Sequence, residues 1–161
     1  LARAILFDLT SAPPATATAW PEQIMNVTYG DTIQLVGYDI PGGTIRAPGD
    51  VLPVSLLWHA LDTVPQNYTV ALFVMAEDGT LIAQQDAFPA YNFEPMTTWR
   101  ADSLHRDNHG LQLPSDLAPG TYELWAALYH WQTPDERLPV TDATGAELGS
   151  YAVLATITIQ P

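Results

Sequence analysis

The sequence contains no cysteine and no lysine. Without cysteine there can be no disulfide, no thiolate metal site and no cysteine nucleophile, and the redox compartment cannot be read. Without lysine, all five basic residues are arginines; they stand against eighteen acids for a formal charge of −13. So acidic a chain is repelled by phosphate backbones and by anionic bilayers, which excludes nucleic-acid binding and leaves membrane association to a covalent neighbour. No apolar run approaches the roughly 20 residues of a membrane span, so no direct insertion is expected. Phosphate-loop, dinucleotide, zinc-protease, EF-hand and nucleophile-elbow motifs are absent as well, and no cofactor is expected. No signal peptide is visible, and the opening Leu1-Ala2-Arg3, in place of Met, reads as the start of an excised fragment.

What remains suits one folded domain. The 161 residues are 47% hydrophobic and 10% aromatic, enough for a core and too apolar for disorder. Residues 1–23 are expected to form a short apolar segment, Leu1 to Leu9, and a Pro/Ala/Thr linker. Residues 24–161 change character: runs rich in Val, Ile, Thr, Tyr and Leu recur about every ten residues between Gly, Pro and Asp. Strands are predicted at Ile24 to Thr28, Thr32 to Ile40, Val51 to His59, Tyr68 to Ala76, Thr80 to Asp86, Arg106 to Leu113, Thr121 to His130 and Ala152 to Gln160. Asp78-Gly79 between two such runs favours a tight hairpin turn, and fourteen prolines argue against helices. The fold class is therefore all-β, an antiparallel β-sandwich of immunoglobulin-like or jelly-roll type.

Alternation assigns the faces. Leu52, Val54, Leu56, Trp58 and Ala60 share one side of their strand and are predicted to be core. Val70, Leu72, Tyr122, Leu124 and Leu128 are predicted to join them. In Thr121 to His130, however, Trp125, Ala127 and Tyr129 make the opposite side apolar too. That side is expected to be covered by the N-terminal segment or by a partner.

Chemistry is sparse. His105 and His109 flank Asp107, with Asp102 nearby, but residues four apart on a strand are about 13 Å apart, which disfavours a shared metal ion. Most acids, such as Asp31, Asp50, Asp78, Asp116 and Asp142, occupy turn positions where the carboxylate bonds its own backbone, so a glycosidase pair is not implied. The long connection Ala87 to Leu104 carries Tyr91, Phe93 and Trp99, and Trp131 follows the seventh predicted strand. Flat rings stack on the apolar faces of sugars, so Tyr91, Phe93, Trp99 and Trp131 are the candidate glycan-binding residues. For Trp99, plugging the loop is the favoured role.

The ordered strings Val27-Thr-Tyr-Gly-Asp-Thr-Ile-Gln-Leu-Val-Gly-Tyr-Asp-Ile40, Pro48-Gly-Asp-Val-Leu-Pro-Val-Ser-Leu-Leu-Trp58, Asn67-Tyr-Thr-Val70, Leu113-Pro-Ser-Asp-Leu-Ala-Pro-Gly-Thr-Tyr-Glu-Leu124 and Arg137-Leu-Pro-Val140 resemble a known family. It is the soluble C-terminal domain of large bacterial membrane proteins, the mannosyltransferase-like glycosyltransferases, many from Chloroflexi-type bacteria. The resemblance spans Ile24 to Ile159 and rests on turn and core residues. It implies an extracytoplasmic β-sandwich tethered to the membrane by its parent protein, with the membrane-embedded portion as partner and the catalytic acids located there. Phe73 stands where such sequences often carry histidine, which speaks against a shared polar site on that strand. The expected function is thus a non-catalytic accessory domain with neutral glycan as ligand. The alternative is a structural or protein-interaction module built on the Trp125 and Tyr129 patch, and a free-standing hydrolase comes third.

Overall fold

The computed structural model describes residues 19–161; the predicted N-terminal segment lies, up to residue 18, outside the described residues. Their strands are β1 (Gln23–Tyr29), β2 (Ile33–Asp39), β3 (Ile45–Arg46), β4 (Val51–Ala60), β5 (Tyr68–Met75), β6 (Leu81–Ala87), β7 (Leu104–Gln112), β8 (Gly120–His130), β9 (Val140–Thr141), β10 (Glu147–Gly149) and β11 (Ala152–Ile159). They form two sheets, ordered β10-β9-β1-β2-β4-β7 and β3-β11-β8-β5-β6. Strands hold 52% of the described residues, and none of these is in an α-helix. The chain is an all-β sandwich, as the alternation predicts.

The core lies between the sheets. Leu52, Val54, Leu56, Trp58 and Ala60 of β4 are buried, and they meet Val70, Leu72 and Val74 of β5 and Tyr122, Leu124, Ala126 and Leu128 of β8. Two tyrosines tie the layers together. The Tyr29 hydroxyl of β1 donates to the Ala126 carbonyl of β8 at 2.8 Å, and that of Tyr38 in β2 to the Leu154 carbonyl of β11. Each satisfies a polar tip that burial would otherwise leave costly. Tyr29 also meets Trp58 edge to face at 5.6 Å.

β5 and β6 form the predicted hairpin. At its tip the Asp78 carboxylate accepts from the Thr80 N–H at 2.9 Å while Gly79 takes φ +83°. The three strands missing from the sequence reading, β3, β9 and β10, are two or three residues long, too short for any alternation to register. β6 and β7 are edge strands of different sheets, and residues 88–103 cross between them. Aromatic rings gather on that crossing segment and on the outer face of the five-stranded sheet.

Candidate functional site

The crossing segment is pinned from beneath. Trp99 is only 2% exposed, lies flat against His105 (centroids 4.2 Å apart, 6° between planes) and donates its indole N–H to the Glu94 carbonyl at 3.1 Å. A ring so enclosed has no face to offer a sugar, so Trp99 leaves the set of ligand candidates and serves as the plug. Met96 is buried beside it in the core.

Upstream, Ala90, Tyr91 and Asn92 take φ of 47°, 52° and 68°. Three successive non-glycine residues in the left-handed region each carry a cost of about 1–2 kcal/mol, which local bonds must offset. Asp107 Oδ1 accepts from the Ala90 N–H at 3.0 Å; Asn67 donates to Asn92 Oδ1 at 2.8 Å and accepts from the Met96 N–H at 3.1 Å. The turn so held leaves Tyr91 66% and Phe93 89% exposed.

Asp107 is the hub of this arrangement. Its Oδ2 also accepts from the Trp58 indole at 3.2 Å and lies 2.6 Å from His109 Nε2, whose Nδ1 faces Gln85 Oε1 across the sheets at 2.9 Å. His105 belongs to a separate group: Nε2 lies 2.7 Å from Ser103 Oγ and Nδ1 3.1 Å from Glu94 Oε2. The order of side chains is that of a nucleophile relay. The Ser103 hydroxyl, however, donates its single proton to the Arg100 carbonyl at 2.6 Å, so the group staples the loop. The two histidines do not converge, and among the described residues no three His, Cys, Asp or Glu side chains are grouped to hold a metal ion.

A different surface gathers aromatic rings. On the outer face of the five-stranded sheet, β5 and β8 oppose Thr69 to Tyr129, Ala71 to Ala127, Phe73 to Trp125 and Met75 to Glu123. β6 adds Gln84 beside Phe73 and Asp86 beside Ala71. The small side chains of Ala71 and Ala127 let the flanking rings close over them, giving a second apolar cluster outside the main core. Tyr151 stacks on Trp125 (3.8 Å, 6°), and the Trp125 indole donates to Glu123 Oε2 at 2.8 Å. The Arg137 guanidinium sits 4.8 Å above the Phe73 ring centroid. Burial, with the Asp86 carboxylate next in weight, holds the Tyr129 phenol above its ordinary pKa.

Three depressions follow one another along this face. One of about 430 Å³ lies beside Trp125, Glu123 and Glu77; the next, about 290 Å³, is lined by Phe73, Gln84, Trp125, Tyr129 and Arg137; a third, about 410 Å³, lies between Thr69, Asp86, Phe88 and Trp131. Trp125 and Trp131 are six residues apart, so the track is about 20 Å long at ordinary strand rise. Trp131, 59% exposed, lines its far end together with Phe88. Tyr91 and Phe93 stand off this track on the crossing segment, whose Asn92 is tied to Asn67 just before β5. From the two-sided alternation of β8, sequence reasoning marked Trp125 and Tyr129 as an apolar patch for the interaction alternative and placed the glycan rings elsewhere, at Tyr91, Phe93, Trp99 and Trp131. It missed Phe73, Tyr151 and Arg137, which only strand register and loop return bring beside them.

No family model matches the sequence, and no curated protein does. Among solved structures, the chain is similar to the C-terminal domain of Wzt, with a TM-score of 0.59 and 10% identity over 85% of this chain and 78% of that one. It is also similar to a Niemann-Pick type C2 protein from the Japanese carpenter ant, at TM-score 0.50 and 6% identity over 85% of this chain and 99% of that one. At such identities the likeness shows the β-sandwich fold and nothing finer.

Proposed function

We propose that this chain is a non-catalytic accessory module that binds neutral glycan along the outer face of its five-stranded sheet. The observation that carries the reading is the fixed Trp125 ring: Tyr151 backs one face, Glu123 holds the indole N–H, and the ring borders two depressions edged by hydrogen-bonding side chains. A ring already held in place gives a sugar a flat apolar surface at little entropic cost. Gln84, Asp86, Asp135 and Arg137 stand near enough to this surface to meet hydroxyl groups. With a charge of −13, and Glu123, Asp86 and Asp135 about the track, anionic polymers are disfavoured.

On this reading Trp131 and Phe88 extend the surface, and Tyr91 and Phe93 offer further rings near that end. The resemblance in the sequence supports the wider setting: an extracytoplasmic domain of a glycosyltransferase-like membrane protein, working beside that protein's membrane-embedded portion. The exposed Leu81 and Val153 on the same face favour a second reading, a protein-interaction surface. Glycan-array screening separates the two when repeated with Trp125→Ala, Trp131→Ala, Tyr91→Ala and Phe93→Ala. Millimolar binding of a neutral glycan that Trp125→Ala abolishes supports the proposal. No binding to any neutral glycan refutes it, and loss through Tyr91→Ala and Phe93→Ala alone moves the site to the crossing segment.

A further inference from the structure

We infer that Arg137 is the specificity-determining residue of this face, reading a vicinal pair of hydroxyl groups on a sugar that stacks beside it on Trp125; the inference rests on the glycan reading. Arginine is scarce here: of the four among the described residues, Arg46 and Arg106 are occupied, and Arg100 is exposed on the crossing segment and lines none of the three depressions. Arg46 donates to the Gly43 and Pro41 carbonyls, and Arg106 to Asp39 and the Ala19 carbonyl. Arg137 differs. Among the described residues no carboxylate lies within ion-pair distance of it and its guanidinium donates to no protein acceptor, yet it is not loosely placed. Its backbone bridges Tyr129, the next residue's N–H bonds the Leu128 carbonyl at 2.8 Å, and its guanidinium rests on the Phe73 ring.

A planar fork with unspent N–H donors is therefore held at the wall of the central depression. Two parallel donors suit two adjacent oxygens. Gln84, in the same lining, gives one amide N–H to Asp86 Oδ2 at 2.6 Å, and its carbonyl oxygen is open to accept from a sugar hydroxyl. Donors and an acceptor lining one depression match hydroxyls, which both give and take a proton. A carboxylate would satisfy Arg137 alone and be repelled by Asp135, Asp86 and Glu123. Arg137 also shields Phe73, which is almost fully buried, so the Phe73 ring supports the guanidinium and Trp125 supplies the stacking surface.

The test is isothermal titration calorimetry of wild type, Arg137→Lys, Arg137→Ala and Trp125→Ala with mannotetraose, cellotetraose, maltotetraose and tetragalacturonate, thermal melts confirming that each variant folds. Both Arg137 variants are expected to bind the preferred neutral tetrasaccharide about tenfold more weakly, because lysine keeps the charge and loses the paired donors. If a neutral tetrasaccharide binds and Trp125→Ala abolishes it while either Arg137 variant matches or exceeds wild type, the glycan reading stands and this inference falls. Preferential binding of tetragalacturonate through Arg137 overturns it equally. Absence of binding to every neutral tetrasaccharide removes both.

Discussion

Replacing Asp107 with alanine should be among the most damaging single changes in the molecule, although the residue lies at a sheet edge. Its carboxylate, 1% exposed, receives the Trp58 indole at 3.2 Å, the Ala90 N–H at 3.0 Å and His109 at 2.6 Å. Each buried donor left without a partner costs about 1–3 kcal/mol. Trp58 and His109 are deeply buried and bear that cost in full, whereas Ala90 is half-buried and can turn to water. The loss is therefore about 3–5 kcal/mol. For a domain of this size that lowers Tm by roughly 6–20 °C. The strained turn supplies a second, local readout: with the anchor of Ala90 gone, amide exchange at residues 90–92 should rise well beyond the global effect. Asp107→Asn, keeping one acceptor oxygen, should lose less. Urea denaturation and hydrogen exchange measure both quantities, and a loss below about 1 kcal/mol with Ala90 still protected would refute the hub.

Trp58→Ala should cost about 3–5 kcal/mol by denaturant unfolding, and native Trp58 should resist iodide quenching. Gly37→Ala should cost about 1–3 kcal/mol, because an added Cβ would stand 2.1 Å from the Gln23 carbonyl oxygen where β1 pairs with β2; a variant of wild-type stability would show that this pairing can yield. Alkaline pH should destabilise the fold. Burial raises the pKa of Tyr29, Tyr38 and Tyr68, so their neutral forms contribute full stability below the unfolded value of about 10 and lose it as pH climbs above that. Denaturation midpoints should fall on passing from about pH 9 to about pH 11, and Tyr29→Phe should flatten that fall.

Long strands were legible because each buries one face: the alternation in β4 named its core side chains residue by residue. Edges were illegible, since β3 and β9 hold two residues each and owe their pairing to neighbours. β8 showed apolar residues on both faces, which pointed to the outer surface without showing what stands there. Phe73 is noted in the sequence only as standing where the resembled sequences carry histidine, and strand register is what sets it opposite Trp125 on the outer side. Arg137 reads as part of a solvated Asp135-Glu136-Arg137 run until the chain returns to β8 and lays it over Phe73. The left-handed turn at Ala90 to Asn92 carries no glycine to announce it, and it exists because Asp107 and Asn67 hold it.

The outer-face assignment is tested most directly by amide chemical-shift mapping during titration with the best-binding neutral tetrasaccharide. Perturbations should concentrate at residues 69–75 of β5, 84–86 of β6 and 125–131 of β8 and its end, together with the Trp125 indole, and leave β1, β2 and β4 unmoved. Shifts confined to the six-stranded sheet, or an unchanged spectrum at tens of millimolar glycan, would contradict the account.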